Sequence, residues 1–150
     1  MTAADALVAA LDDAGYRLTE PRRAVAGLVA AREGHFTAAD LEADARRRRL
    51  RIGRATIFRA LDVFADLGLV EHVDLPDGEH AYVGCDPEPA HHHHAICTRC
   101  GRSQDIEDMG LADVLVAVGD RHAFTVTSHR LELFGVCGAC HEAAAGSTGA

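Results

Sequence analysis

An α+β fold in two parts is what the 150-residue sequence predicts, on three observations. Four stretches with helical spacing of apolar residues come first and lead into a strand–turn–strand pattern. A stretch with two prolines and two acids, Cys85-Asp-Pro-Glu-Pro-Ala90, then interrupts the chain. Beyond it, two Cys-x-x-Cys pairs, Cys97/Cys100 and Cys137/Cys140, frame a second, mixed unit.

In residues 3–14, Ala6, Leu7, Ala10 and Leu11 fall on one helical face, and Gly15 ends the helix. Thr19 is the N-cap of a second helix, with Pro21 in its first turn, Val25, Leu28 and Val29 as its buried stripe, and Gly34 closing it. Thr37 caps a third helix carrying Ala38, Leu41 and Ala45, which runs into an arginine cluster. Gly53 opens a fourth helix, in which Ile57, Leu61, Phe64 and Leu67 share a face, and Gly68 stops it. The period then changes: Leu69–Val73 and His80–Val83 flank Pro76-Asp77-Gly78, a turn between two short strands. Helices followed by a hairpin are the outline of a winged helix-turn-helix over residues 1–84, although other small α+β units share it.

Residues 85–90 read as a hinge and 91–141 as a small α/β unit. In it, His91–Ile96 is expected to form a strand and Met109–Arg121 a helix with Leu111, Val114, Leu115 and Val118 inward. Phe124–Phe134, rich in strand formers, leads into the second cysteine turn. About 50 residues make a marginal core, so a metal staple and a partner chain would both help. Residues 142–150 read as a disordered tail.

Composition narrows the function. Hydrophobic residues make up 48% of the chain, enough for a core, while aromatic residues are 5% and tryptophan is absent. No apolar run approaches the roughly 18 residues of a membrane span. The start of the chain lacks a basic leader, so a cytoplasmic location is expected. Net charge is -8, which by itself disfavours a nucleic-acid partner, but the distribution reverses that. All 15 basic residues are arginine, and seven (46, 47, 48, 49, 51, 54 and 59) occur in a stretch without an acid. Such runs are usually solvated faces; this one leads into an amphipathic helix, which favours phosphate contact.

Two Cys-x-x-Cys turns supply four thiolates, the set a closed tetrahedral zinc site requires. In a chain read as cytoplasmic, metal ligation by Cys97, Cys100, Cys137 and Cys140 is favoured over disulfides. The run His91–His94 needs its own account. On a strand, alternate side chains face opposite ways, so His92 and His94 point to one side and His91 and His93 to the other. One strand could thereby serve two metal sites.

Seven segments in order resemble the ferric uptake regulator family of metal-dependent repressors. They are Gly15-Tyr-Arg-Leu-Thr-Glu-Pro-Arg22, His35-Phe-Thr-Ala-Ala-Asp-Leu41, Gly53-Arg-Ala-Thr-Ile-Phe-Arg59, Leu67-Gly-Leu-Val-Glu71, His91-His-His-His-Ala-Ile-Cys97-Thr-Arg-Cys100-Gly101, Ser128-His-Arg-Leu-Glu-Leu-Phe-Gly135 and Cys137-Gly-Ala-Cys140. The resemblance spans about residues 5–141. It implies a homodimer with an N-terminal winged helix on DNA and a C-terminal α/β dimerisation unit. The zinc of the four cysteines would pin that second unit.

The family's interdomain sensing site corresponds here to His35, Cys85, His92 and His94, with Glu71 matching an acidic ligand of the zinc-responsive branch. A further site would use His91, His93 and His129 with an acid on the intervening helix. Here the sequence departs from the family, because that position falls on Ala112, with Asp113 adjacent and Asp108 one turn earlier. Carboxylate-rich sites suit iron or manganese, whereas a thiolate with imidazoles suits zinc. Cys85 stands where iron-responsive members commonly place a carboxylate, which points to a zinc uptake regulator, with iron, manganese or nickel as alternatives. The implied mechanism is a corepressor switch: metal closes the hinge and presents two recognition helices to an inverted-repeat operator in double-stranded DNA. Arg17, Arg22, Arg54, Thr56, Phe58 and Arg59 are the expected DNA contacts, Phe58 standing where the family usually has tyrosine.

Two other classes are weighed. A zinc hydrolase or deaminase would need a general base beside an open metal position, and neither His-Glu-x-x-His nor His-x-Glu with Pro-Cys-x-x-Cys occurs. The chain is therefore expected not to be an enzyme. A zinc buffer or chaperone would bind metal without DNA, and the arginine run argues against it.

Overall fold

The computed structural model describes residues 2–85, 93–107 and 110–146. The chain divides into two compact units, residues 1–90 and 91–150.

The first unit contains α1 (Ala3–Asp13), α2 (Glu20–Ala30), β1 (His35–Phe36), α3 (Ala38–Arg47), α4 (Arg54–Asp66), β2 (Val70–Asp74) and β3 (His80–Gly84). Local chemistry sets the helix starts. Thr2 and Thr37 each form a reciprocal capping box, with Asp5 and Asp40. Thr19 caps α2, whose first turn accommodates Pro21 because that position needs no amide donor. The apolar stripes converge on one core built from α1 to α4 and the sheet, with Leu11, Leu28, Leu41, Ile57, Leu61 and Phe64 inaccessible to solvent. β1 is shorter than sequence periodicity can detect. It pairs antiparallel with β3, giving the order β1-β3-β2. The hairpin turn closes as expected, with the Gly78 amide donating to the Leu75 carbonyl at 2.9 Å and Gly78 at φ 85°.

The second unit contains β4 (His93–Cys97), β5 (Ser103–Ile106), α5 (Leu111–His122), β6 (Glu132–Gly135) and α6 (Gly138–Gly146). β4 is central, antiparallel to β5 and parallel to β6. A parallel pair needs a crossover, and α5 lies in the connection between β5 and β6. α5 ends tightly: a Cβ at Gly119 would lie 2.6 Å from the Phe124 carbonyl oxygen, so no larger residue fits.

Three expectations for this unit need correction. The strand predicted over 124–134 is confined to Glu132–Gly135, because only those residues pair with β4. Val114 and Val118 do not point into a core of this chain; they are 57% and 46% exposed. The tail expected from residue 142 is helical to Gly146, consistent with the helix propensity of its three consecutive alanines. β5 was not expected from the sequence at all. Its Ser-Gln-Asp-Ile pattern lacks strand formers, and the ladder with β4 supplies what propensity does not. No helix among the described residues is long and apolar enough to cross a membrane.

Candidate metal centres and nucleic-acid interface

Chain topology brings the four paired cysteines together. Cys97 ends the central strand β4 and stands in register with Gly135 of β6, two residues before Cys137. The turn after β4 is closed by the Gly101 amide donating to the Cys97 carbonyl at 2.9 Å, with Gly101 in the left-handed region at φ 74°. It is tied to the second cysteine turn by the Thr98 amide to the Gly135 carbonyl (2.8 Å) and by the Arg99 guanidinium to the Cys140 carbonyl (3.0 Å). The ligand atoms of Cys97, Cys100, Cys137 and Cys140 all lie within 4.8 Å of one another, and Cys100 Sγ is 3.8 Å from Cys137 Sγ. Zinc–sulfur bonds of about 2.3 Å in a tetrahedron require sulfurs about 3.8 Å apart. The residues therefore fit a zinc ion.

Their acidities diverge. The Cys137 amide donates to Cys97 Sγ at 3.3 Å, and with a second amide, that of Cys100, it pulls the Cys97 thiol down to about 6. Cys140 is pushed up to about 12, because its proton is held by the sulfurs of Cys137 and Cys100. With metal absent these shifts act oppositely with pH. The Cys97 contribution is complete above the ordinary thiol value of 9.0 and is lost as pH falls through about 6. The Cys140 contribution is complete below 9.0 and is lost as pH rises through about 12. A divalent ion removes the conflict by binding all four as thiolates.

Three other predicted ligands share one face of the first unit's sheet. Val83 of β3 is in register with both His35 of β1 and Glu71 of β2, so all three share one face of the sheet. Cys85, two residues beyond Val83, falls on that same face, its amide donating to the Leu69 carbonyl at 3.0 Å. The opposite face is spent on packing, with Phe36 stacked on Tyr82 at 6.0 Å. An imidazole, a carboxylate and a thiol are thereby aligned on the face that the helical core leaves.

In the second unit His93 and His94 are both buried, on opposite sides of β4. His94 Nδ1 lies 3.2 Å from Asp105 Oδ1, its register partner on β5. Sequence reasoning missed Asp105; recognising an antiparallel β5 opposite the histidine run would have found it. His93 Nε2 lies 3.4 Å from His129 Nε2. Among the described residues these two collect no third ligand within 4.8 Å, so Asp113, exposed in the first turn of α5, is not part of such a group. His91 and His92 lie outside the described residues.

Of the expected DNA contacts, Arg54, Thr56, Phe58 and Arg59 lie on α4, away from the buried Ile57, Ala60, Leu61 and Phe64, whereas Arg17 precedes α2 and Arg22 lies in it. The Arg54 guanidinium sits 5.5 Å from the centre of the Phe58 ring, and Arg59 donates to Thr56 Oγ1 at 3.5 Å. Phe58 is the one large apolar side chain of the first unit left exposed among the described residues, at 37%. Arg22 is held over the Tyr16 ring at 5.6 Å and donates to the Arg17 carbonyl at 2.6 Å. That bond ties Arg22 to the loop that carries Arg17.

The ferric uptake regulator family model matches residues 13–134. The chain belongs to the ferric uptake regulator family. Among its relatives, the zinc uptake regulation protein of Mycobacterium tuberculosis (strain H37Rv) is 34% identical over 127 residues, covering 85% of this chain and 96% of that one. The ferric uptake regulation protein of Bacillus subtilis (strain 168) is 32% identical over 133 residues, covering 87% and 89%. Among solved structures, a zinc uptake regulator complexed with zinc and DNA superposes with a TM-score of 0.80 at 28% identity, covering 97% of this chain and 99% of that one.

Proposed function

We propose that this family member is a zinc-responsive transcriptional repressor. It binds inverted-repeat operators in double-stranded DNA as a homodimer when regulatory zinc is bound, and it controls metal-uptake genes in the cytoplasm. The observation that carries the reading is the alignment of His35, Glu71 and Cys85 on one face of the DNA-binding unit's own sheet. A regulatory ion held there with His92 and His94 would draw on ligands from the winged unit, the hinge and β4. Its occupancy would then bias where the recognition helix is presented. A thiolate with imidazoles favours zinc over iron or manganese. The likeness to a zinc uptake regulator bound to zinc and DNA supports the same choice.

The tetrathiolate zinc is structural in this reading and stays bound throughout the cycle. Arg17 and Arg22 would contact the DNA backbone. Arg54, Thr56, Phe58 and Arg59 would face the major groove, Arg59 toward a base or phosphate and Phe58 toward a thymine methyl. The homodimer would also cover Val114, Val118 and Phe124. His93 and His129 could hold a further ion with His91. No catalytic role is assigned to any residue.

The test is DNA binding to the promoters of metal-uptake genes, titrated separately with buffered zinc, iron, manganese and nickel at fixed salt. Zinc should raise affinity most, Cys85→Ala should remove most of that response, and Arg59→Ala should abolish operator binding without changing zinc stoichiometry. A full zinc response in Cys85→Ala would remove Cys85 from the sensor. Equal, weak affinity of zinc-loaded and metal-free protein would leave the metal-buffer reading standing instead.

A further inference from the structure

Only part of the arginine run is occupied within the fold. Arg46 pairs with Glu42 at 2.9 Å, and Arg47 pairs with the buried Asp44, which also holds Arg32. Arg48, Arg49 and Arg51 are exposed and have no carboxylate partner among the described residues. They occupy the turn from α3 into α4, and the first turn of α4 contains no acid that would neutralise them. In a chain of net charge -8, such a concentration of positive charge selects for a polyanion against the repulsion of the remaining surface.

Backbone geometry sharpens the point. α3 ends in a Schellman motif: the Arg49 amide donates to the Arg46 carbonyl at 3.0 Å and the Leu50 amide to the Ala45 carbonyl at 2.9 Å. The residue after the C-cap of such a motif is left-handed and is usually glycine. Here it is Arg49, at φ 56°. A more stable residue is passed over in favour of a charged one, beside the helix that would enter DNA. Local rules broken without a packing return mark functional positions.

We infer that Arg48, Arg49 and Arg51 form a phosphate-gripping ledge that binds duplex DNA independently of sequence, beside the base-reading face of α4. This rests on the DNA-binding reading above. The ledge raises affinity for all duplexes alike, while Arg54, Phe58 and Arg59 discriminate among them.

The experiment uses the zinc-loaded full chain and a random-sequence 30-base-pair duplex, with affinity measured by fluorescence anisotropy between 50 and 200 mM NaCl. Each phosphate contact contributes about 0.9 to the slope of log affinity against log salt. The combined variant Arg48→Ala, Arg49→Gly, Arg51→Ala should therefore lose about 5.4 from the slope of the homodimer (three contacts in each of two protomers at about 0.9). Arg49→Ala and Arg49→Gly should each lose about 1.8, one contact per protomer. They should differ in stability: Arg49→Gly relieves the left-handed strain and should melt about 2 °C higher than Arg49→Ala. Wild-type slopes in these variants, with the wild type binding normally, would overturn the ledge alone. Wild-type protein that bound no duplex with or without zinc would sink the repressor reading itself. Binding to phosphatidylglycerol vesicles but not to duplex DNA would reassign the ledge to a membrane and overturn the proposal.

Discussion

The two units hold themselves together by different means. Residues 7–82 bury a continuous core, and its largest members are out of contact with water. In the second unit Ile96 and Cys97 are the only buried apolar side chains among the described residues, and Val114, Val116, Val118, Phe124, Leu133 and Val136 are exposed. The first unit therefore has an apolar core of its own, joining all four of its helices to its sheet. The second unit, residues 91–150, buries few apolar side chains among those described, and units of that size are helped by a metal or a partner chain. A unit with a core of its own can hold α4 in shape without a metal, whereas the second unit has the four cysteines where a core is lacking.

Metal removal should break this contrast most severely. Chelating the tetrathiolate zinc removes a ligation free energy on the order of 10 kcal/mol, which in a unit this small is folding free energy. The expected result, followed by NMR or hydrogen exchange, is loss of protection in β4, β6 and α5 while α2 and α4 stay protected. Equal loss in both units would show that they fold as one.

Phe64→Ala is the reciprocal perturbation. Phe64 is fully buried in the α-helical core, and its truncation should cost about 3–5 kcal/mol. Denaturant melts of the zinc-loaded protein should show that cost in the first unit, with the cobalt-substituted thiolate spectrum of the second unchanged. A smaller effect is expected of Val118→Arg, which introduces a charge on the exposed stripe of α5. Dimer dissociation measured by sedimentation should rise at least tenfold, about 1.4 kcal/mol, with melting of the first unit unaltered. An unchanged dimer would place the interface elsewhere on the second unit.

The sequence was most readable where structure is local. Thr19 and Thr37 mark helix starts because a hydroxyl three residues before an amide caps it in any context, and Gly78 marks the hairpin turn because a left-handed turn selects glycine. It was least readable where a partner decides. β1 and β5 are strands because β3 and β4 lie beside them, and residues 124–131 look like a strand yet have no ladder with β4. The apolar stripe of α5 has the period of a buried helix, and periodicity says that a face needs cover without saying which chain provides it.

The ligand sites divide in the same manner. Spacing alone named Cys97, Cys100, Cys137 and Cys140, because two residues between thiols is the reach of one turn around one ion. Strand alternation alone separated His93 from His94. Only the tertiary structure could bring Cys137 to Cys97 through a parallel pairing of β4 with β6, put His35 and Glu71 on either side of Val83, and bring Asp105 against His94. It also divided the arginine run into side chains held by Glu42 and Asp44 and side chains left to solvent. The physical reason is range. Caps, turns and ligand spacings depend on a few neighbouring residues, whereas strand register and charge pairing depend on which distant segments the fold brings within a few ångströms.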